Sequence, residues 1–235
     1  MDGGWSPILL LKTDMSTVLV IGASRGIGLE FVRQYRDAGA RVIATARDDA
    51  GLARLKALDA TALRLDVAAP ASVSGLAWQL DGEKIDVALY VAGVLAGGNA
   101  GDSPDADVFD QVMRTNVLAP MRVLRQLVEV LAPDARLVVL SSRMGSIGLR
   151  TNGDSWLYRA SKSAVNSVVK DISFGLQGKA ICVAMHPGWV KTDMGGAGAD
   201  LDVTQSVADM RATVASLRAE HNGTFINHDG QVLAW

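Results

Sequence analysis

The stretch YRASK, residues 158–162, sets a phenol and an ammonium four positions apart. On a helix, Tyr158 and Lys162 share one face. A free phenol holds its proton to about pH 10, too tightly for easy exchange at neutral pH. A neighbouring cation favours the phenolate and lowers that value. Such a pair can pass a proton to or from an oxygen held beside it. Spacing alone also admits a plainer arrangement, a tyrosine at the edge of a core beside a solvated lysine. Arg159 lies about 100° around the same helix from Tyr158 and reads as a surface or interface residue.

A second chemistry is written near the other end of the chain. VIGASRGIG, residues 20–28, joins an apolar strand pattern to a helical one. Gly22 permits a tight turn, Ser24 lines the loop, and Gly26 and Gly28 let backbone approach a pyrophosphate at a helix N-terminus. The context of strand, loop and helix is the one such a loop requires. Its spacing, G-x-x-x-G-x-G, differs from the usual dinucleotide fingerprint.

The elements that must position these groups alternate along the chain. Strand patterns fall at 17–22, 41–46, 60–67, 85–93, 136–142, 180–188 and 223–227. Helical patterns fall at 27–39, 49–58, 72–80, 105–132, 155–177 and 206–220. That alternation predicts a single domain: an α/β, doubly wound parallel sheet of about seven strands flanked by helices. The loose stretches 96–106 and 192–200 both follow strands. They should lie at the carboxyl edge of the sheet, where ligands bind in such folds. Asn116 sits inside a helical pattern with Pro120 four residues later. Proline has no N–H, so the carbonyl of residue 116 loses its regular partner and the helix should kink.

The 235 residues are 49% hydrophobic, enough for one sizeable core. A net charge of −2 without a long basic block gives no reason to expect nucleic acid or a membrane surface as partner. Cys182 is the single cysteine, which excludes an internal disulfide and suits a reducing cytoplasm. The histidines His186, His221 and His228 lack metal-ligand spacing, so no metal is expected. His186 reads as a structural or rim residue, His221 and His228 as surface residues. Residues 1–14 differ in character from the rest and read as an N-terminal extension, with Met15 opening the core segment 15–235.

Taken in order, the glycine loop, VAG at 91–93, Asn116, Ser142, and Tyr158 with Lys162 resemble the short-chain dehydrogenase/reductase family. HPGWVKTDM, residues 186–194, is similar to that family's Pro-Gly segment. SSRMGSIG and the ending NGTFINHDGQVLAW are similar to the C-factor and Sniffer-like carbonyl reductase branch. The resemblance runs from about residue 17 to the C-terminus and implies a Rossmann-type fold.

It also implies a catalytic set of Asn116, Ser142, Tyr158 and Lys162. Tyr158 would donate the proton, and Lys162 would assist it and bind the nicotinamide ribose. Ser142 would hold the carbonyl oxygen, with Ser141 as the fallback. The carbonyl of Asn116 would hold a water linked to the lysine. The cofactor residues implied are Gly22, Ser24, Arg25, Gly26, Ile27, Gly28, Arg47, Asp66, Val67, Ala92, Gly93, Tyr158, Lys162, Pro187, Gly188, Val190 and Thr192. NAD binders usually carry an acid at the end of the second strand. Here Ala46 stands there, with Arg47 next and Arg25 in the glycine loop. Two guanidiniums suit a 2′-phosphate, so NADP(H) is expected over NAD(H), although Asp48 and Asp49 pull the other way.

The implied reaction is reduction of a small-molecule ketone or aldehyde to its alcohol. The alternative is an NADP(H)-binding regulatory or signalling protein with little turnover. Trp156, Trp189, Met144 and Leu95 would wall the substrate, residues 195–198 would form a mobile lid, and the loop within 148–156 would shape the pocket. The family's members include homodimers and homotetramers; the sequence favours no oligomeric state.

Overall fold

The computed structural model describes residues 16–235. The expected extension over 1–14 and the role of Met15 lie outside the described residues. β1 (Thr17–Ile21) leads through the glycine loop to α1 (Gly26–Asp37). β2 (Arg41–Ala46), α2 (Asp49–Ala57), β3 (Thr61–Arg64), the short α3 (Pro70–Ser74) and α4 (Leu76–Gln79), and β4 (Ile85–Tyr90) follow. Next come α5 (Ala106–Met113), α6 (Ala119–Leu127), β5 (Leu131–Leu140), α7 (Trp156–Leu176) and β6 (Ala180–His186). The chain ends with α8 (Val203–Ser216), β7 (Thr224–Asn227) and β8 (Val232–Leu233).

The strands form one sheet in the order β3-β2-β1-β4-β5-β6-β7-β8. The first seven run parallel. The two-residue β8 pairs antiparallel with β7. The sequence reverses direction across the sheet between β1 and β4, which opens a crevice at their carboxyl ends.

Alternation along β1 shows why the sheet is covered on both faces. Leu19 and Ile21 join Val123, Leu124, Val165 and Val169 of α6 and α7 on one side. Val18 and Val20 join Phe31 of α1 and Val207 and Met210 of α8 on the other. Each buried Leu, Ile, Val or Phe contributes roughly 1.5–3 kcal/mol. Both cores therefore press on the strands whose ends carry the site.

The long helical stretch expected over 105–132 is divided. Between α5 and α6, residues Arg114–Leu118 form a π-helical turn, and Pro120 sits in the first turn of α6. The expected kink is thus a π-turn, which makes room for an extra residue where proline withholds its N–H. Asn116 is in that turn and is 1% exposed.

Candidate active site

The glycine loop closes onto the far side of the crevice. Gly22 has φ +88°, and a Cβ there would lie 2.7–2.8 Å from Ala92, so only glycine fits. Its N–H donates to Thr45 Oγ1 at 3.0 Å, which ties the loop to β2. Arg25 is the N-cap of α1, yet no side chain caps that helix and no acid lies in its first turn. The first N–H groups of Gly26, Ile27 and Gly28 thus start a helix whose positive end no side chain neutralises, an arrangement that fits an oxyanion such as a pyrophosphate.

From this helix start a groove runs to the tyrosine and lysine. Its lining includes Arg25, Gly26, Ile27, Gly28, Gly93, Tyr158, Lys162, Pro187 and Thr192. Gly188 and Val190 face the adjoining cavity instead. Arg47, Asp66 and Val67 lie beyond the carboxyl ends of β2 and β3, at the other end of the expected cofactor path. Asp66 Oδ1 accepts the Ala68 N–H at 3.0 Å. Ser24 lends its carbonyl to Arg54 Nε at 2.8 Å; Arg54 had drawn no notice in the sequence, since only the fold brings α2 onto the glycine loop. Arg25 pairs with Asp193 at 2.9 Å, both largely exposed. The two acids after Arg47 are engaged locally: Asp48 caps α2 by accepting the Gly51 N–H at 2.7 Å, and Asp49 pairs with Arg64.

Tyr158 and Lys162 stand one turn apart on α7, 7% and 6% exposed. The Lys162 ammonium lies 5.8 Å from the phenol ring centroid and donates to the Leu140 carbonyl at 2.9 Å. Burial pushes Tyr158 up to about 12, with hydrogen bonding from Ser142 pulling the other way. Burial pushes Lys162 down to about 8. The expected lowering of the phenol by the lysine is therefore reversed in this structure. Both groups are shut from water, and desolvation outweighs a cation already engaged by a backbone carbonyl.

The two serines differ in their partners. Ser141 donates its hydroxyl to Asn166 Oδ1 at 2.5 Å, inside the core. Ser142 accepts the Met144 N–H at 3.1 Å, and its hydroxyl is turned toward the Tyr158 phenol. The 3₁₀ turn after it, Arg143–Gly145, packs directly on α7. A Cβ on Gly145 would fall 2.8 Å from Lys162 backbone, so this contact sets how near Ser142 comes to Tyr158.

The C-terminus straps the same loop from outside. Ser146 Oγ donates to the Ala234 carbonyl at 2.7 Å, and Ile147 and Gly148 N–H groups donate to the Trp235 carbonyl at 3.2 and 3.1 Å. Trp235 stacks on Phe225 at 5.8 Å.

Asn116 works through its side chain. Oδ1 accepts the Val94 N–H at 2.9 Å, and Nδ2 donates to the Val94 carbonyl at 2.8 Å and to Ser161 Oγ at 3.0 Å. It thereby pins the chain leaving β4 against α7, a role the sequence did not disclose.

Ser142 and Tyr158 share a cavity of about 420 Å³. Leu95, Met144 and Trp189 line it as expected, with Leu149 and Thr151 from the loop before α7. Trp156 lines the neighbouring cavity instead. The segment expected as a lid, 195–198, is anchored at its first residue: Trp189 Nε1 donates to the Gly195 carbonyl at 2.9 Å and the Gly195 N–H donates to Thr192 Oγ1 at 3.1 Å.

Two further expectations change. Arg159 is buried, not a surface residue: Nε donates to the Asp154 carbonyl at 2.6 Å and the guanidinium holds the Asn152 side chain. His228 is half-buried and lies 3.2 Å from Asp209.

The family model of the short chain dehydrogenases matches residues 16–221. The chain is 34% identical to 1-hydroxy-2-glutathionyl-2-methyl-3-butene dehydrogenase of Rhodococcus sp. (strain AD45), over 94% of this chain and all of that one. It is 37% identical to C-signal of Myxococcus xanthus, over 64% of this chain and 93% of that one. Among solved structures, the carbonyl reductase Sniffer of D. melanogaster superposes with a TM-score of 0.85 at 29% identity, covering 94% of this chain and 100% of that one. An NADPH-bound carbonyl reductase from chicken fatty liver superposes with a TM-score of 0.84 at 31% identity, covering 94% and 99%.

Proposed function

The chain belongs to the short-chain dehydrogenase family, in its carbonyl reductase and C-factor branch, and from that premise we propose that it reduces a ketone or aldehyde to an alcohol with NADP(H). One observation carries the reading: Ser142 and Tyr158 open on a single cavity that adjoins the groove from the glycine loop to Lys162. The groove from the glycine loop to Lys162 would hold NADPH, which would supply a hydride to the carbonyl carbon.

The protein groups then divide the work. Ser142 donates a hydrogen bond to the carbonyl oxygen and places it beside Tyr158. Tyr158 gives its proton to that oxygen as negative charge gathers there. Burial keeps the phenol protonated at neutral pH, and the proton leaves it only as charge gathers on the carbonyl oxygen. Lys162 on the same helix face replaces the proton and binds the ribose. Asn116 holds Val94, and with it the floor of the groove, and its carbonyl holds a water linked to Lys162.

The cofactor residues are assigned as the resemblance implies. The N–H groups of Gly26, Ile27 and Gly28 hold the pyrophosphate, with Gly22 and Ser24 shaping the loop. Asp66 and Val67 meet the adenine; Ala92, Gly93, Pro187, Gly188, Val190 and Thr192 meet the nicotinamide half. Arg25 and Arg47 read the 2′-phosphate. Arg25 must leave Asp193 to do so, and an exposed pair of this kind contributes only about 0–1 kcal/mol. The carbonyl reductase relative solved with NADPH supports this preference.

We place the function in one unit, residues 15–235, working in the cytoplasm. Val108, Phe109, Met121 and Phe174 are exposed apolar residues on α5, α6 and α7, the surface through which a homodimer or homotetramer would form. No helix among the described residues is long and apolar enough to cross a membrane.

The test is NADPH oxidation with a panel of ketones and aldehydes. Tyr158→Phe should lower kcat by about 10²–10⁴-fold while NADPH still binds. Tight NADPH binding with no turnover across the panel would instead favour a regulatory protein.

A further inference from the structure

The cavity shared by Ser142 and Tyr158 carries charge of one sign. Its lining includes Arg143 and Arg159 and no aspartate or glutamate. The two arginines are not equivalent. Arg159 is 7% exposed and committed to the loop before α7 through Asp154 and Asn152. Arg143 directly follows Ser142, is exposed to the cavity, and makes no side-chain hydrogen bond or ion pair with the described residues.

His186 lines the same wall, and its Nδ1 is buried without a partner among the described residues. Burial, His228 and Arg143 together hold that imidazole down to about 4. It is therefore neutral at physiological pH and can donate or accept a hydrogen bond, while Arg143 supplies the charge. The neighbouring cavity, reached past Leu95, has the opposite character: Asp102, Asp105 and Asp193 line it with Arg25. The cleft is thus divided electrically, with its free cation on the side of the reacting serine.

A guanidinium in a concave site without acids is half of an ion pair. Its planar fork matches a carboxylate with two parallel hydrogen bonds. Leu95, Met144, Leu149, Trp189 and Met194 give the wall an apolar stretch beside the polar Thr151, Thr192 and His186, suited to a carbon skeleton between the two polar ends of a ligand.

We propose that the substrate is a carbonyl compound bearing a carboxylate or similar oxyanion, which Arg143 pairs with while the carbonyl oxygen lies between Ser142 and Tyr158. This rests on the reductase reading of the same site and adds the class of substrate to it. Arg143 is a specificity residue and takes no part in moving the proton.

The test compares 4-carboxybenzaldehyde with its methyl ester, methyl 4-formylbenzoate, in NADPH-dependent reduction. The ester is the more electrophilic aldehyde, so intrinsic reactivity works against the expected preference. Wild-type protein should favour the acid in kcat/KM by about tenfold or more, the scale of one charge-assisted hydrogen bond. In Arg143→Met that ratio should fall to near one; Arg143→Lys should keep part of it; added salt should lower it in wild type. A wild-type ratio at or below one, or a ratio unmoved in Arg143→Met, overturns the proposal.

If neither aldehyde is reduced, the reductase reading fails for this pair, and calorimetry on the NADP-loaded protein still decides the anion site. Terephthalate should then bind wild type more tightly than dimethyl terephthalate does, and Arg143→Met should lose the difference. Equal affinities, or no binding of either, overturn it.

Discussion

Lys162 is the residue where burial and charge conflict most directly. Its amine is pushed down to about 8 from an ordinary 10.5. Below pH 8 it is charged in both folded and unfolded chains, and folding carries the full cost of burying that charge. Between 8 and 10.5 the folded protein sheds the proton first, so stability rises with pH through this window. Above 10.5 both states are neutral and the cost is gone. Lys162→Met should therefore unfold at higher urea than wild type at pH 7, by on the order of 1–3 kcal/mol, while losing activity. That advantage should shrink as the pH is raised from 8 to 10.5; an advantage independent of pH would count against the argument. At this scale the sequence was legible where residue types announce chemistry, as with Tyr158 and Lys162. It was not legible where two identical residues compete. Ser141 and Ser142 differ only in their partners, and Asn166, which occupies Ser141, arrives from 25 positions away.

The end of β2 and the start of α2 form an element with two separable tasks. Asp48 is the N-cap of α2, where its carboxylate accepts the Gly51 N–H and stabilises the helix. Asp48→Ala should cost about 1 kcal/mol in chemical unfolding and leave the ratio of NADPH to NADH affinity where it was. Arg47→Ala should do the reverse, weakening NADPH about tenfold or more with little effect on NADH; fluorescence titration of both cofactors separates the two. Sequence reading placed these residues side by side with opposed implications, because a capping aspartate and a ribose-binding one look the same until α2 is in place. The helix break was legible for a comparable reason and to a comparable extent. Pro120 announced that α5 and α6 would not run on smoothly, yet a π-turn depends on how Asn116 is held by Val94 and Ser161, contacts 22 and 45 residues distant.

Across the whole molecule the arrangement is that of two cores clamping one sheet, with every proposed reacting group at its carboxyl edge. Because the proposed pyrophosphate site is made of backbone at the start of α1, it exists only in the folded chain. NADPH at a hundred times its dissociation constant should then stabilise the protein by about 2.7 kcal/mol, read as a rise in Tm, and NADH at equal concentration should do less. The parallel sheet covered on both faces was readable because strand and helix patterns alternate, whereas the order of its strands was not read from them. The closing of the chain was not readable either, since two-residue β8 and the docking of Ala234 and Trp235 on residues 146–148 leave no periodic trace. That strap couples residues 234 and 235 to the segment that follows Ser142. Trp235→Ala, which removes the stack on Phe225, would loosen it, and activity lost in that variant would report a displaced serine, not a missing one.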